Sequence, residues 1–152
     1  MTIAAGDRMP AFTLTDHTGG TFDSASLAGS KVLLYFYPKA FTPGCTTEAC
    51  DFRDRHGAFE AAGYRIVGIS PDPPPDLAAF RLEHGLPFPM LSDPDHRVAE
   101  AFGAWGTKKQ YGREYEGIIR STFAVDEDGT IVEAWSNVRA AGHAGRVLDA
   151  IG

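Results

Sequence analysis

Residues 35–50 read YFYPKAFTPGCTTEAC, an apolar run that passes through a proline and a turn into a helix-like segment. This segment holds both cysteines of the chain, Cys45 and Cys50. Thr42 is a favourable N-cap residue and Pro43 suits the first helical position, so Cys45 falls in the first turn of a predicted helix. Unpaired backbone N–H groups and the helix dipole favour negative charge there, and the thiolate is the reactive form of cysteine. We therefore predict a reactive thiolate at Cys45.

The spacing of the two cysteines limits how they can react with each other. In one continuous α-helix, residues five positions apart differ by a rise of about 7.5 Å and a rotation of about 140°, which places their Cα atoms about 8.6 Å apart. Cα atoms joined by a disulfide usually lie about 4.4–6.8 Å apart. A bond between Cys45 and Cys50 therefore requires the first turns of the helix to unwind. We predict a folded dithiol state and a locally unfolded disulfide state.

Two segments of the chain resemble those of a known family. Pro38, Thr42 and Cys45 are spaced as in the Pro-x-x-x-Thr-x-x-Cys motif of the peroxiredoxins. Cys50 resembles the resolving cysteine of the bacterioferritin-comigratory/peroxiredoxin Q subgroup, and the segment around Arg120 is similar to the family's second active-site segment. Further similarity to the subgroup lies in Trp105-Gly106-x-Lys108 and Tyr111-Gly112, whereas the subgroup usually carries acidic or polar residues in place of Ala40-Phe41.

The resemblance implies a thiol peroxidase that reduces hydrogen peroxide and organic hydroperoxides. Cys45 would be the peroxidatic residue, which attacks the peroxide and becomes a sulfenic acid. Cys50 would condense with that sulfenic acid to form an intramolecular disulfide. Thioredoxin or a similar dithiol would then reduce the disulfide.

The same resemblance gives the other matched residues their expected roles. Arg120 would stabilise the thiolate and the charge that develops on the leaving oxygen. Thr42 would cap the helix and bond the thiolate or the peroxide, and Pro38 would shield the nucleophile from water. Glu48 continues the family pattern Thr-x-x-Cys-x-x-Glu and is expected to support the site.

The pattern of apolar runs and turns predicts alternating strands and helices. The predicted elements are a hairpin at 12–16 and 21–22, a strand at 31–37, a helix at 45–62, a strand at 64–70, a helix at 76–84, an edge strand at 87–91, a helix at 97–102, a hairpin at 121–125 and 130–135, and a helix at 141–151. The strand-helix-strand order implies a parallel pair. With the resemblance, this order predicts an α/β thioredoxin-like fold, a central mixed sheet flanked by helices with an N-terminal β-hairpin extension, in one domain spanning residues 1–152.

Composition sets outer limits on function. A chain of 152 residues that is 43% hydrophobic suits one domain with a substantial core. The net charge of −6 disfavours nucleic-acid and anionic-membrane partners, and no secretory signal is visible, which predicts a cytoplasmic protein. An intramolecular disulfide needs no second subunit, so we expect a monomer. No glycine-rich phosphate loop follows a strand and the cysteines and histidines match no common zinc spacing, so we expect no cofactor and no metal.

Two other functions are compatible with the residues taken without the resemblance. A thiol-disulfide oxidoreductase would use both cysteines, although such enzymes prefer a Cys-x-x-Cys pair. A redox-sensing binding protein would use the same unwinding helix to change partners. Taken singly, Cys50 is a small apolar side chain, Thr42 an N-cap, and Arg120 a surface strand residue paired with a carboxylate.

Overall fold

The computed structural model describes residues 3–110 and 112–151, in which helices pack against a mixed β-sheet. The described strands are β1 (Thr13–Asp16), β2 (Thr21–Asp23), β3 (Lys31–Phe36), β4 (Tyr64–Ser70), β5 (Met90–Ser92), β6 (Trp105–Gln110), β7 (Arg113–Ile118), β8 (Ser121–Val125) and β9 (Ile131–Ser136). The described α-helices are α1 (Pro43–Asp54), α2 (His56–Ala61), α3 (Pro74–His84), α4 (Arg97–Ala101) and α5 (His143–Ile151).

Strand β3 lies inside a seven-stranded sheet with the order β2-β1-β5-β4-β3-β8-β9. It pairs in parallel with β4 and antiparallel with β8. Five of its six residues are buried, as expected for a continuous apolar run covered on both faces. The predicted parallel strand-helix-strand unit and the central mixed sheet are therefore confirmed. This unit places the start of α1 just beyond the carboxyl end of β3.

Alternate residues of β3 contact two hydrophobic clusters, one on each face of the sheet. Leu33 and Tyr35 pack with residues of α1, α2, α3 and α5, whereas Val32 and Phe36 pack with residues of β1 and α4. This division follows from the two-residue period of a strand. Helix α1 is held to the first cluster by Phe52, which is fully buried and stacks on Tyr35 with ring centroids 4.7 Å apart.

The single helix predicted for residues 45–62 is wrong in one respect, because the chain forms two helices separated at Arg55. Arg55 leaves the helical conformation with φ −103° and ψ 6°, and its carbonyl accepts the first bonds of α2. The change of direction allows Phe59 of α2 to be buried beside Phe52, with ring centroids 5.7 Å apart. Gly63 follows α2 at φ +87°, a left-handed conformation that is common for glycine just after a helix.

The predicted edge strand is an interior strand. β5 lies between β4, its parallel partner, and β1, its antiparallel partner. Proline cannot donate a hydrogen bond within a sheet and therefore favours edge strands. Pro87 and Pro89 lie in the predicted span but precede β5, so they remove no donor from it. The predicted N-terminal hairpin is confirmed as β1 and β2, and its pairing with β5 joins it to the main sheet.

A second, two-stranded sheet of β6 and β7 was not predicted. Its strands alternate polar and apolar residues weakly, and most of β7 is exposed. Tyr111, a residue of the subgroup resemblance, lies outside the described residues. The hairpin matters for function because the chain leaves β7 and reaches Arg120 immediately before β8.

Candidate active site

Cys45 lies in the first turn of α1, as predicted, and is 1% exposed. Cys50 lies on the same continuous helix, is half-buried, and like Cys45 is a free thiol. The helical spacing that separates their Cα atoms by about 8.6 Å therefore applies to this folded state. A disulfide between them requires α1 to change conformation.

Thr42 occupies the N-cap position of α1 with extended backbone angles, φ −79° and ψ 153°. Its side chain does not cap the helix, so that part of the prediction is wrong. The hydroxyl instead donates a hydrogen bond of 2.7 Å to the carbonyl of Lys39. This bond closes a turn in which Phe41 has φ +67°, a left-handed conformation that is uncommon for a large side chain. Pro38 is half-buried in the same segment between β3 and α1.

Arg120 brings the two active-site segments together. Its Nη2 lies 3.4 Å from the Cys45 Sγ, and its Nη1 donates to Glu48 Oε1 at 2.6 Å. Arg120 lies between β7 and β8 and not within a strand, so the interpretation of it as a surface strand residue is wrong. Its carbonyl accepts a bond from the Val138 N–H, which ties this connection to the segment after β9.

Glu48 is fully buried one turn after Cys45, on the same helix. One carboxylate oxygen, Oε1, pairs with Arg120, and within the described residues Oε2 has no hydrogen-bond partner. Burial raises the pKa of Glu48 to about 7, against the opposing effect of the nearby Arg120 charge. The unpaired buried oxygen also disfavours the ionised form.

Other titratable groups surround the thiol. The Tyr35 hydroxyl is buried without a hydrogen-bond partner in the described part of the chain, and burial raises its pKa, so it stays neutral. Lys108 on β6 is close enough to the site to interact with Arg120 and Cys45. Its pKa is lowered by partial burial and by Arg120, and raised by Cys45. The thiol therefore lies near two cationic side chains, Arg120 and Lys108, and a neutral hydroxyl.

Gly44 precedes Cys45 in the first turn of α1 and lies close to Arg120. A Cβ atom at this position would lie 3.2 Å from Arg120 Nη2, so a side chain here would crowd the guanidinium. The sequence contained one indication of this close contact. Gly44 lies in the first turn of a predicted helix, where glycine lowers helix stability.

Cys50 has a neighbour that the sequence analysis also missed. His84, the last residue of α3, places its Nδ1 3.8 Å from the Cys50 Sγ. These residues are 34 positions apart, and no local pattern connects them.

Within residues 3–110 and 112–151, no group of three or more His, Cys, Asp or Glu side chains is arranged to hold a metal ion. None of the helices described there is long and apolar enough to cross a membrane. The site thus consists of a buried thiol in contact with a guanidinium, and a second thiol on the same helix. Such an arrangement can attack an electrophilic oxygen and then form a disulfide.

Comparison with known proteins agrees with this geometry. The AhpC/TSA family matches residues 5–134 of the chain. Peroxiredoxin Bcp of Bacillus subtilis is 43% identical over 151 residues, which cover 99% of this chain and 96% of that protein. The chain belongs to the AhpC/TSA family and is a peroxiredoxin of the Bcp type.

Two further relatives support the assignment of this peroxiredoxin. Peroxiredoxin Bcp of Escherichia coli K12 is 42% identical over 147 residues, covering 97% of this chain and 94% of the relative. The structure of Xanthomonas campestris peroxiredoxin Q superposes with a TM-score of 0.88 at 36% identity, covering 99% of this chain and 95% of the other. The resemblance to the subgroup, the thioredoxin-like fold and the thiol-dependent peroxidase activity predicted from the sequence are therefore confirmed. The peroxiredoxin acts on peroxides and draws electrons from a thiol reductant.

Proposed function

We propose that this peroxiredoxin reduces hydrogen peroxide and organic hydroperoxides with Cys45 as the nucleophile and Cys50 as the resolving residue. The observation that carries the proposal is the 3.4 Å contact between Arg120 Nη2 and the Cys45 Sγ. The arginine guanidinium is always positively charged. At this distance Arg120 can donate a hydrogen bond to the Cys45 thiolate and stabilise it without a proton transfer between the two side chains.

The first step is an attack of the Cys45 thiolate on one peroxide oxygen. An S–O bond forms and the O–O bond breaks, so the sulfur is oxidised to the sulfenic acid and the peroxide is reduced. The leaving oxygen departs as an alkoxide or hydroxide and takes a proton to become alcohol or water. Arg120 stabilises the charge on both oxygens while it is developing.

Thr42 and Pro38 assist this step by orienting the substrate and excluding water. The only donor of the Thr42 hydroxyl is used on the Lys39 carbonyl, so its lone pairs are available to accept the O–H of a hydroperoxide. Pro38 offers no N–H, and we infer that its rigid ring shields the thiol from water. Glu48 holds Arg120 by its 2.6 Å bond and acts as a positioning residue.

The second step joins the two cysteines after the start of α1 unwinds. The Cys50 sulfur attacks the Cys45 sulfur, the S–S bond forms, and the S–O bond breaks to release water. The part of α1 that contains Phe52 is anchored in the core, whereas the N-cap Thr42 provides no side-chain bond to the first turn. We infer that Cys45 moves toward Cys50. Thioredoxin or a similar dithiol then reduces the disulfide.

We also infer that the domain spanning residues 1–152 works as a monomer in the cytoplasm. Cys45 and Cys50 lie on the same helix, which supports a monomer. Formation of the disulfide then needs no cysteine from another subunit. Sedimentation at working concentration tests this inference, and a stable dimer would contradict it.

The test of the main proposal is rapid mixing of the reduced protein with hydrogen peroxide, followed by intact mass measurement. Wild type is expected to react orders of magnitude faster than an ordinary thiol and to end with the loss of two hydrogens. Cys45→Ser should abolish the reaction, while Cys50→Ser should gain one oxygen and fail to recycle with thioredoxin. A wild-type rate like that of an ordinary thiol would contradict the assigned chemistry.

The activity of a relative supports alkyl hydroperoxides as substrates. Bacterioferritin comigratory protein of Xanthomonas campestris, which has alkyl peroxide reduction activity, is 36% identical to this chain and superposes with a TM-score of 0.88. We propose the same substrate class here. Turnover of cumene hydroperoxide beside hydrogen peroxide measures it directly.

A further inference from the structure

The Cys50 thiol lies against an imidazole supplied by another helix. His84 Nδ1 is 3.8 Å from the Cys50 Sγ, at the long end of the range for a hydrogen bond to sulfur. We propose that His84 is the general base that takes the proton of Cys50 when the disulfide forms. This inference rests on the proposed role of Cys50 as the resolving cysteine.

One hydrogen bond to its backbone, one ring contact and the end of its helix hold His84 in this place. Arg53, one turn after Cys50, donates from Nη1 to the His84 carbonyl at 2.7 Å. The Phe80 ring lies edge-on to the imidazole with centroids 5.1 Å apart. Gly85 ends α3 directly after His84 in a left-handed conformation, φ +60°. His84 is thus held by α1 and by its own helix.

His84 lies in the last turn of α3, and the charged groups around its contact with Cys50 come from three helices. Arg53 lies nearby, but its charge is paired with Asp54 at 2.9 Å. Besides the two cysteines and His84, the titratable and charged side chains of α1, α2 and α3 are Glu48, Asp51, Arg53, Asp54, His56, Glu60, Asp76, Arg81 and Glu83.

The hydrogen bond between Cys50 and His84 can form both before and after the proton is transferred. Before transfer the Cys50 S–H donates to Nδ1, and after transfer the protonated Nδ1 donates to the thiolate. The thiolate attacks the Cys45 sulfur, the S–S bond forms and the S–O bond breaks. The hydroxide that leaves takes the proton from His84 and becomes water. The peroxide is the only oxidant required.

The geometry also explains how the base can act while the helix unwinds. Phe52 and Arg53 anchor the part of α1 that follows Cys50, so unwinding of the first turn brings Cys45 to Cys50. Cys50 then remains beside His84 throughout the reaction. The opposite movement, in which Cys50 leaves its place, would remove it from the base.

The expected effect is limited by the chemistry of an ordinary thiol. With a pKa of about 8.5, such a thiol is about 3% ionised at pH 7, so full ionisation accelerates its attack by at most about 30-fold. We therefore expect loss of His84 to slow resolution about tenfold at pH 7. The rate of disulfide formation without His84 should recover near pH 9, where a thiol ionises without a base.

The experiment is quench-flow of reduced protein with hydrogen peroxide and intact mass detection, which separates oxidation of Cys45 from disulfide formation. His84→Gln should slow disulfide formation about tenfold at pH 7, leave the oxidation step within twofold, and make resolution rise with pH. His56→Gln, a histidine change on the adjacent α2, is the matched control and should behave as wild type. Circular dichroism and thermal unfolding check that both variants are folded.

Wild type tests the proposal without any substitution. Its rate of disulfide formation should be nearly level between pH 7 and pH 9. A wild-type rate that rises over this range like an ordinary thiol, or a His84→Gln rate equal to that of the control, would overturn the role of His84. Failure of the wild-type protein to form any disulfide after Cys45 oxidation would instead show that the assignment of Cys50 is at fault.

Discussion

Arg120 lies with its Nη2 3.4 Å from the Cys45 Sγ, although the two residues are 75 positions apart in the chain. The guanidinium also binds Glu48, so one side chain links the nucleophile to a buried acid on the same helix. A planar fork with several donors makes both contacts at once. This relationship is the basis of the predictions about rate and pH dependence.

Replacement of Arg120 by lysine is expected to slow the oxidation of Cys45 by about 100-fold or more, as for the loss of a donor aimed at developing charge. Lysine keeps the charge but lacks the fork that reaches Cys45 and Glu48 together. The second-order rate constant with hydrogen peroxide measures the effect. Arg113→Lys, on the exposed β7 strand, is the control. A rate within threefold of wild type would contradict the role of Arg120.

Replacement of Glu48 by glutamine is expected to remove one component of the pH dependence of stability. Burial raises the pKa of Glu48 from 4.5 to about 7, so the folded state binds this proton more tightly than the unfolded state. The free energy of unfolding should therefore rise by about 2 kcal/mol from this group as the pH falls from 7.5 to 5.5.

Urea unfolding of wild type and Glu48→Gln at several pH values measures this component as the difference between the two slopes. Glu133→Gln, on the exposed side of β9, serves as the control. Parallel pH profiles for wild type and Glu48→Gln would show that the carboxyl is ionised throughout the range.

His143 is expected to change the free energy of unfolding with pH in the opposite direction to Glu48. Burial lowers its pKa from 6.5 to about 4, and Arg146 and Arg120 add to this lowering. Its contribution to stability is complete above pH 6.5 and is lost as the pH falls toward 4, by about 2 kcal/mol between pH 6.5 and pH 5. Its Nε2 lies 2.8 Å from Thr122 Oγ1 in the core, a contact that glutamine can retain.

The measurement for His143→Gln is again the slope of unfolding free energy against pH, compared with wild type. The variant should lose less stability than wild type on acidification below pH 6.5. An unchanged slope would mean that the buried imidazole accepts a proton in the folded state as readily as in the unfolded chain.

Phe41 is expected to favour apolar peroxides. Its ring is 48% exposed at the turn before α1 and packs edge-on against Phe80, with centroids 5.1 Å apart. Phe41→Asn tolerates the left-handed backbone and removes the apolar surface. The ratio of kcat/KM for cumene hydroperoxide to that for hydrogen peroxide should fall about fivefold, a loss of about 1 kcal/mol of apolar contact.

Leu82→Asn is the control for Phe41, because Leu82 is 85% exposed on α3. It should leave the ratio unchanged. An equal loss of activity toward both peroxides in Phe41→Asn would mean that the ring supports the turn and not the substrate.

Much of the fold follows from local patterns that the sequence displays. The apolar run of β3 predicts an interior strand, and the residues from Thr42 to Cys45 predict a helix start with the thiol in its first turn. The turn residues between β8 and β9 predict their hairpin. Each of these features depends on interactions between residues that are near one another in the chain, so periodicity and capping preferences are sufficient to find them.

The secondary-structure predictions were wrong where contacts between distant segments determine the structure. β5 was predicted at an edge, but pairing with β1 makes it an interior strand. The break at Arg55 accompanies the burial of Phe59 against Phe52, a contact between two different helices. The weak alternation of polar and apolar residues in β6 and β7 gave no strand signal, because these strands pair only with each other in the described sheets and most of β7 is exposed.

The order of residues alone establishes that Cys45 begins a helix, that Cys50 shares it, and that the pair is too widely spaced to bond without unwinding. It also carries, through resemblance, the expectation that Arg120 joins the site. The burial of Glu48 with one oxygen unpaired, and the contact of His84 with Cys50, emerge only in the folded chain. Those facts depend on how α1, α3 and the chain before β8 pack around the end of β3, and burial and distance between remote residues are properties of that packing.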